Sequence, residues 1–394
     1  MRSVESLPLA SDRKGLFLRF ATEFAFRPQV IPFPFRLQRV GVPRRSSRWT
    51  STSRSTRMES RMTKSQYLAW RDQLSFSHTP GVTAGVLLFD AGLAAAAAWM
   101  IFMAQPHWLF WLGQALLAIF YFHNFAILHE AGHGNIHRRD VVNVIIGHYA
   151  SLFCFLPFYP WRYIHHEHHT WTGNPEKDPT MKQILRMKTR KRIPLAVKFT
   201  WRSWIPFGAV LQHFVFWSYP ISAWREDRMK HWRRNMVISV LFLAAGYICI
   251  AGLVGWAALL RLWPSFVIYL LGVELVNFPH HLDMPTVDPA SEKQRLYVWE
   301  QQATTRSCRY PGLLSELLVL NFNLHTEHHL FPTLPWFRLK QARQLIKPDL
   351  SRHYNEAHGI GWNYDMRTGD LDHIVEPNYI LPPDRNAETP VSRD

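Results

Sequence analysis

The 394-residue chain has few cysteines, and none of them form a motif. Cys154 and Cys249 lie in apolar stretches, Cys308 lies in a polar one, and no Cys-x-x-Cys sequence occurs. A cysteine zinc site and a disulfide framework are therefore excluded, and the scarcity is typical of a reducing compartment. The chain also lacks a His-Pro-Gly-Gly haem motif and a glycine-rich dinucleotide fingerprint, which excludes a fused haem, flavin or nicotinamide module.

Acidic residues are scarce as well, which leaves a formal net charge of +16. Residues 1–61 hold thirteen Lys and Arg against four acids and lack the apolar core of a secretory signal. We interpret them as an N-terminal extension, either an organelle transit peptide or sequence upstream of a start at Met58 or Met62. The other basic residues flank apolar runs, as the positive-inside rule describes, so no nucleic-acid partner is predicted.

Long apolar runs occur at about residues 82–103, 108–128, 236–253 and 265–281. Each is close to the ~20 residues that a transmembrane helix needs, and short turns join them in two pairs. The sequence therefore predicts an all-α integral membrane protein with four transmembrane helices in two hairpins. Residues 62–345 form the predicted membrane domain, and residues 346–394 form a predicted cytoplasmic tail.

Two apolar segments between the hairpins are shorter or interrupted. Val141–Phe158 is broken by glycine, histidine and proline, which favours a re-entrant or interfacial helix. Trp204–Trp224 is rich in aromatic residues, which favours the membrane surface. Asp90 lies inside the first long run, where an acid is either functional or packed in a neutral form.

Three histidine clusters dominate the chain: His129-Glu-Ala-Gly-His133, His165-His-Glu-His168-His169 and His325-Thr-Glu-His328-His329. Positions i, i+3 and i+4 of a helix share one face, so we expect each cluster to aim its imidazoles at a single point. Imidazole is a common ligand of iron, zinc and copper. Eight convergent histidines are too many for one metal ion and suit two.

The predicted topology brings these clusters to one side of the membrane. Two hairpins place both chain ends and the central loop on the same face. Residues 129–235 of that face hold seventeen Lys and Arg, whereas the turns on the other face hold only Arg261. The positive-inside rule therefore makes the histidine face cytoplasmic, with the clusters in a helical cap.

The order and spacing of the three clusters resemble the membrane fatty acid desaturase family, which also includes membrane hydroxylases and carotenoid oxygenases. The similarity covers roughly residues 80–345. It is supported by Asn174-Pro-Glu-Lys-Asp178-Pro179 after the second cluster and by His328-His-Leu-Phe-Pro-Thr-Leu-Pro335, which resembles the acyl-lipid branch. The resemblance implies an O2-dependent desaturase with two iron ions.

The resemblance also implies the ligands. Carried onto this chain, nine histidines would hold the irons, and Asn277 would assist through water. His137, one turn beyond His133, is a possible substitute for it, and His280 competes with His281. His166 is expected to point away. The implied ligands are His129, His133, His165, His168, His169, His281, His325, His328 and His329.

Further residues are candidates for supporting roles. Acids close to the clusters would accept the second imidazole N–H; they are Glu130, Glu167, Glu327 and Asp178. Aromatic residues would line an acyl channel or merely pack; they are Tyr121, Phe122, Phe125 and Trp161. Electrons would come from a separate ferredoxin or small cytochrome with its reductase. Basic residues near Lys182–Arg192 would bind that donor or anionic lipid headgroups.

Other functions remain open at this point. His129-Glu130-Ala-Gly-His133 also satisfies the His-Glu-x-x-His signature of zinc proteases, although that interpretation leaves at least six histidines without a role. A metal transporter would place polar groups inside the spans, where the sequence has little besides Asp90 and Glu274. A membrane hydroxylase, or a carotenoid hydroxylase or ketolase, shares the ligand spacing of a desaturase.

Overall fold

The fold is built mainly from α-helices. The computed structural model describes residues 62–104, 106–182, 193–225, 229–291, 294–350, 354–369, 371 and 378–380. The predicted extension, residues 1–61, and most of the Lys182–Arg192 segment lie outside the described residues. The helices of the N-terminal half are α1 (Lys64–Arg71), α2 (Pro80–Phe102), α3 (His107–His133), α4 (Asp140–Cys154), α5 (Phe158–Trp171), α6 (Ile193–Arg202) and α7 (Phe207–Ala223).

The second half mixes long helices with short turns and strands. The α-helices are α8 (Lys230–Val254), α9 (Trp256–Arg261), α10 (Trp263–Asn277), α11 (His325–Leu330), α12 (Leu339–Asp349) and α13 (Gly359–Thr368). Short 3-10 helices cover Phe278–His280, Val298–Ala303 and Trp336–Arg338. A short π-helix covers Leu314–Leu318. The strands are β1 (Pro285–Val287), β2 (Ser307–Arg309), β3 (Glu356–His358) and β4 (Asn378–Ile380).

Three of the described helices are long and apolar enough to cross a membrane. They are α2, α3 and α8, with mean hydropathies of 1.8, 1.4 and 2.5. The apolar stretch of α3 is 72% buried inside the protein, whereas the apolar stretches of α2 and α8 are 17% and 11% buried. The protein therefore packs around α3, and the apolar surfaces of α2 and α8 are left to face a nonaqueous environment.

The fourth predicted span differs from the expectation. We predicted a helix over residues 265–281, but α10 ends at Asn277 and has 15 residues. At 1.5 Å per residue it is about 22 Å long, which is less than the ~30 Å hydrocarbon core. The backbone continues as the 3-10 helix Phe278–His280, which contains Pro279. Among the described residues, a fourth candidate span arises only if the bent pair α4 and α5 is counted as one.

The bend between α4 and α5 is stabilised by side chains from other helices. The two helices meet at 99°, and Phe155 between them adopts a left-handed φ of 60°. The break frees backbone carbonyls that need donors. The Tyr269 hydroxyl donates to the Cys154 carbonyl at 2.8 Å, and the Trp217 indole N–H donates to the Phe155 carbonyl at 2.8 Å. The segment predicted to be a re-entrant or interfacial helix is therefore α4, and it is joined to α5 through a stabilised bend.

The described part of the predicted C-terminal tail contains regular secondary structure. Strand β1 pairs in parallel with β4, and β2 pairs in parallel with β3. Helix α13 packs on α10 and α6, and Arg367 in its last turn is 1% exposed. The described part of residues 346–394 is therefore integrated into the unit formed by residues 62–394.

Candidate metal centre

The structure brings all nine predicted ligand histidines together, in two groups. Within each group, one ring nitrogen from every histidine lies within 4.8 Å of the others. Group one contains His129, His133, His165, His169 and His328, and group two contains His168, His281, His325 and His329. The groups are adjacent, since the rings of His169 and His329 stack at 4.2 Å.

The expectation that each cluster aims at one point is wrong for both His-x-x-His-His sequences. On α5, His165 and His169 face group one while His168 faces group two. On α11 the division is reversed, because His325 and His329 face group two while His328 faces group one. Positions i and i+4 are about 40° apart around a helix, but i+3 and i+4 are about 100° apart. The middle histidine of each sequence is therefore free to serve the neighbouring group.

The nitrogen contacts of group two cannot all be hydrogen bonds. The Nε2 atoms of His168 and His281 are 3.1 Å apart, those of His281 and His325 are 2.9 Å apart, and those of His325 and His329 are 3.1 Å apart. His168 directs Nδ1 at a carboxylate and His329 directs Nδ1 at an amide oxygen. In its neutral form, each of these two rings therefore carries the proton on Nδ1 and presents a lone pair at Nε2.

A cation resolves this arrangement. Without a cation, His281 would have to donate its Nε2–H to His168, and His325 would have to donate its Nε2–H to His329. These two N–H groups would then point at each other across 2.9 Å. Four lone pairs directed at a metal ion satisfy every contact. Neighbouring ligands at right angles around an ion with ~2.1 Å metal–nitrogen bonds are about 3.0 Å apart. The observed separations therefore fit a metal.

Group one has the same spacing. The Nε2 atoms of His165 and His133 are 2.9 Å apart, those of His169 and His165 are 3.1 Å apart, and those of His328 and His169 are 3.0 Å apart. The Nε2 of His129 is buried without a hydrogen-bond partner among the described residues. An aromatic nitrogen left in this state costs free energy unless a cation binds it.

Burial keeps these imidazoles neutral and able to bind a metal. Desolvation and the neighbouring His168 lower the pKa of His281 to about 3. Burial also lowers the pKa of His325, His328 and His329 well below the ordinary value. A metal-binding imidazole must have a free lone pair, and these rings have one at neutral pH.

The remaining candidates have different positions. The substitution of His137 for His133 is wrong, because α3 ends at His133, Gly134 is left-handed with φ 76°, and His137 accepts the Arg139 N–H. His281 joins group two, whereas the neighbouring His280 stacks on His325 at 4.1 Å. Asn277 ends α10 and lines the same cavity as His281.

Asp178 and Glu130 each contact a histidine of the two groups. His168 donates Nδ1–H to the buried carboxylate of Asp178, at 3.0 Å from each oxygen. Burial acts to raise the pKa of Asp178, but His168 and Thr180 outweigh it and the net pKa lies below the ordinary value. The Nδ1 of His129 lies 3.3 Å from Glu130, which also accepts the Trp336 N–H at 3.1 Å.

Gln301 is an orienting residue that the sequence did not indicate. Its amide oxygen accepts the Nδ1–H of His329 at 2.9 Å, and its amide nitrogen donates to the His169 carbonyl at 2.7 Å. A lone glutamine more than twenty residues before the third cluster has no motif to single it out. Glu327 differs from the expectation, because it accepts the hydroxyls of Ser307 and Tyr354.

Neutralising Asp178 is expected to weaken metal binding. Asp178→Asn removes the charge that fixes the His168 tautomer, and loss of such a partner typically costs 10–100-fold in metal affinity or activity. The measurement is metal retained per protein during titration with a chelator.

The matched control is Asp288→Asn, which removes a loop carboxylate that accepts the Ala290 backbone N–H and contacts no histidine of the two groups among the described residues. Equal metal retention in the wild type and Asp178→Asn would exclude this role.

An apolar cavity contacts both histidine groups. Its histidines are His129 and His165 from group one and His168, His281 and His325 from group two. The expected channel residues Phe125 and Trp161 line it, whereas Tyr121 and Phe122 pack in the core. The other apolar lining residues include Val197, Trp201, Leu211, Val215, Phe216, Phe278, Leu282 and Phe322. This lining suits a hydrocarbon chain.

Gly132 determines how closely Trp161 approaches the centre. The ring of Trp161 stacks on His165 at 4.5 Å, and a methyl group at Gly132 would come within 2.5 Å of it. Gly132→Ala is expected to displace both rings at a cost of about 1–3 kcal/mol and to lower metal content and turnover. The control is Gly85→Ala in α2, where the methyl group meets open space. Unchanged metal content in Gly132→Ala would show that the ring relaxes freely.

A family comparison agrees with the geometry of this centre. The family model described as fatty acid desaturase matches residues 106–360, which is more than half of the chain. The matched region extends from the start of α3 to the start of α13 and includes all nine grouped histidines.

Individual relatives are similar at low identity. A chloroplastic omega-6 fatty acid desaturase of Glycine max is 24% identical over 65% of this chain and 58% of its own. One from Arabidopsis thaliana is 25% identical over 70% of this chain and 61% of its own. An sn-1 acyl-lipid omega-3 desaturase (ferredoxin) of Synechocystis is 24% identical over 68% of this chain and 75% of its own. The chain thus spans about three fifths of the plant relatives, and it belongs to the fatty acid desaturase family.

Proposed function

We propose that this protein is an O2-dependent acyl-lipid desaturase that holds two iron ions in the two histidine groups. The observation that carries the proposal is that nine imidazoles gather in groups of five and four, and that members of both groups line one apolar cavity. Imidazole donors suit iron among other metals, and the family membership favours iron over zinc. A protease needs one metal and a free Glu130, whereas Glu130 is occupied by Trp336 and Asn135.

The reaction balances with an external donor. A –CH2–CH2– unit, O2, two electrons and two protons give –CH=CH– and two molecules of water. The iron pair, when bound, would supply the oxidising power that protein side chains lack.

The residues of the chain position the metal-binding rings and the acyl chain, and they exclude water from the centre. Asp178 and Gln301 fix two ligand rings, and Asn277 lines the cavity beside His281, where an amide can hold a water molecule. Phe125, Trp161 and Phe322 would hold the acyl chain against the centre and keep bulk water away.

The protein is proposed to be a multi-pass membrane protein with the histidine groups on the cytoplasmic side. The exposed apolar surfaces of α2 and α8 support insertion, and seventeen Lys and Arg between residues 129 and 235 support this orientation. The name of the Synechocystis relative includes ferredoxin. We therefore infer a separate one-electron donor of the ferredoxin type, with a small cytochrome as the alternative.

The test is lipid analysis of a host that expresses the full chain beside its His168→Ala variant. Gas chromatography–mass spectrometry of fatty-acid methyl esters would reveal an olefin that depends on the intact cluster, and would give its position. A hydroxylated product instead would assign the chain to the hydroxylases of the family. One zinc per protein and no lipid product would contradict the proposal.

A further inference from the structure

An arginine-rich surface lies beside group one. It consists of Arg138 and Arg139 in the loop before α4, Arg162 on α5 and Arg234 on α8, of which all but Arg162 are exposed. Arg162 pairs with Asp140 at 3.1 Å, which connects the loop to α5. Tyr159 and Tyr163 of α5 contact the ring of Trp232 on α8 at 6.3 and 5.9 Å. These contacts bring the start of α8, where Arg234 lies, beside Arg162 on α5. The four arginines and one aspartate carry a net charge of +3.

An exposed histidine connects this surface to the centre. His166 follows Arg162 by one turn of α5, is exposed and belongs to neither histidine group. Its ring lies 5.7 Å from the ring of His133, a group one histidine. Its Nε2–H donates to the Gly132 carbonyl at 3.1 Å, so the ring orientation is fixed.

Group one is also the more accessible of the two groups. Three of its five histidines are half-buried, whereas three of the four in group two are fully buried. Electrons that enter at His166 would therefore reach group one first, because His133 belongs to that group.

We propose that this arginine surface docks an acidic one-electron carrier protein, with His166 as the contact ring nearest to the metal centre. The inference rests on the proposed function, which needs two electrons per turnover and hence two successive dockings. Charge complementarity of this kind raises the association rate and sets the orientation of the partner, and redox partners typically form small, transient interfaces. Lipid headgroups would account for the arginines but not for the fixed, exposed ring beside His133.

The test uses binding, which does not depend on desaturation. The full-length protein in neutral detergent is titrated with oxidised plant-type ferredoxin, an acidic carrier, at low and moderate salt. Arg139→Glu/Arg234→Glu is expected to weaken binding by about tenfold or more, equivalent to ~1.4 kcal/mol, and to reduce the salt dependence.

The matched control reverses the same number of charges elsewhere. Lys64→Glu/Arg71→Glu alters two exposed residues of α1 and is expected to leave ferredoxin binding within about twofold of the wild type. Equal weakening in both double variants would show that binding depends only on net charge, and would contradict the proposed docking surface. Unchanged binding in Arg139→Glu/Arg234→Glu would also overturn it. If that variant instead loses only co-purified anionic lipid, the surface binds headgroups.

His166 is tested separately. His166→Ala is expected to bind ferredoxin within about twofold of the wild type but to reoxidise reduced ferredoxin several-fold more slowly. An unchanged reoxidation rate would remove His166 from the proposal. Ferredoxin binding and reoxidation without any lipid product would refute the proposed function while leaving the docking surface intact.

Discussion

Replacing His328 or His168 with alanine is expected to abolish product formation while leaving the protein inserted in the membrane. The two variants remove one ligand each, from group one and group two respectively. Loss of a residue that only orients a ligand costs 10–100-fold, so loss of a ligand is expected to cost more than about 100-fold. Both groups are expected to be needed, because the proposed reaction depends on two metal ions acting together.

The measurement is product per protein together with iron per protein. The wild type is expected to hold two irons, and each variant fewer. His137→Ala is the informative control, because the sequence made His137 a possible ligand and the structure places it beyond the end of α3. It is expected to retain both irons and most activity. Full activity in either ligand variant would refute the two-metal assignment.

Replacing Arg367 with methionine is expected to cause the largest loss of stability. Its guanidinium pairs with Glu274 at 2.8 Å, both side chains are 0–1% exposed, and it also donates to the Trp201 carbonyl at 2.9 Å. Glu274 in turn accepts the Ala209 N–H at 3.1 Å, at the start of α7. The pair therefore joins α10 and α13 to the corner between α6 and α7, beside the cavity.

Breaking a buried pair leaves an uncompensated charge and typically costs 3–5 kcal/mol. Arg367→Met should therefore lower the thermal unfolding temperature in detergent strongly. The double variant Glu274→Gln/Arg367→Met removes both charges and keeps an oxygen for the Ala209 N–H. It is expected to recover most of the stability, because paired sites are not additive. A double variant as unstable as the sum of the single variants would show that the charges act independently.

The histidine sequences were sufficient to predict the family and the nine histidines that the structure brings together. Their i, i+3, i+4 spacing depends on local helical geometry, and a spacing of this kind is visible in the sequence. The apolar runs that became α2, α3 and α8 were visible for the same reason, since length and hydropathy are local properties. The end of α3 was also visible in the sequence, because a glycine such as Gly134 commonly terminates a helix. No helix end was predicted from it.

Other features depended on contacts between distant segments. The division of the histidines into groups of five and four required α3, α5 and α11 to pack together. Each group combines histidines from different helices, so its members are set only by how those helices contact one another. The same holds for Gln301, which lies 28 residues from His329 and has no motif, and for the pair of Glu274 and Arg367, 93 residues apart. The sequence determined which side chains could bind metal and that they lie at helix ends near a membrane. Only the tertiary structure decided which histidines share a metal and what orients them, because those contacts form when segments far apart in the chain are packed against one another.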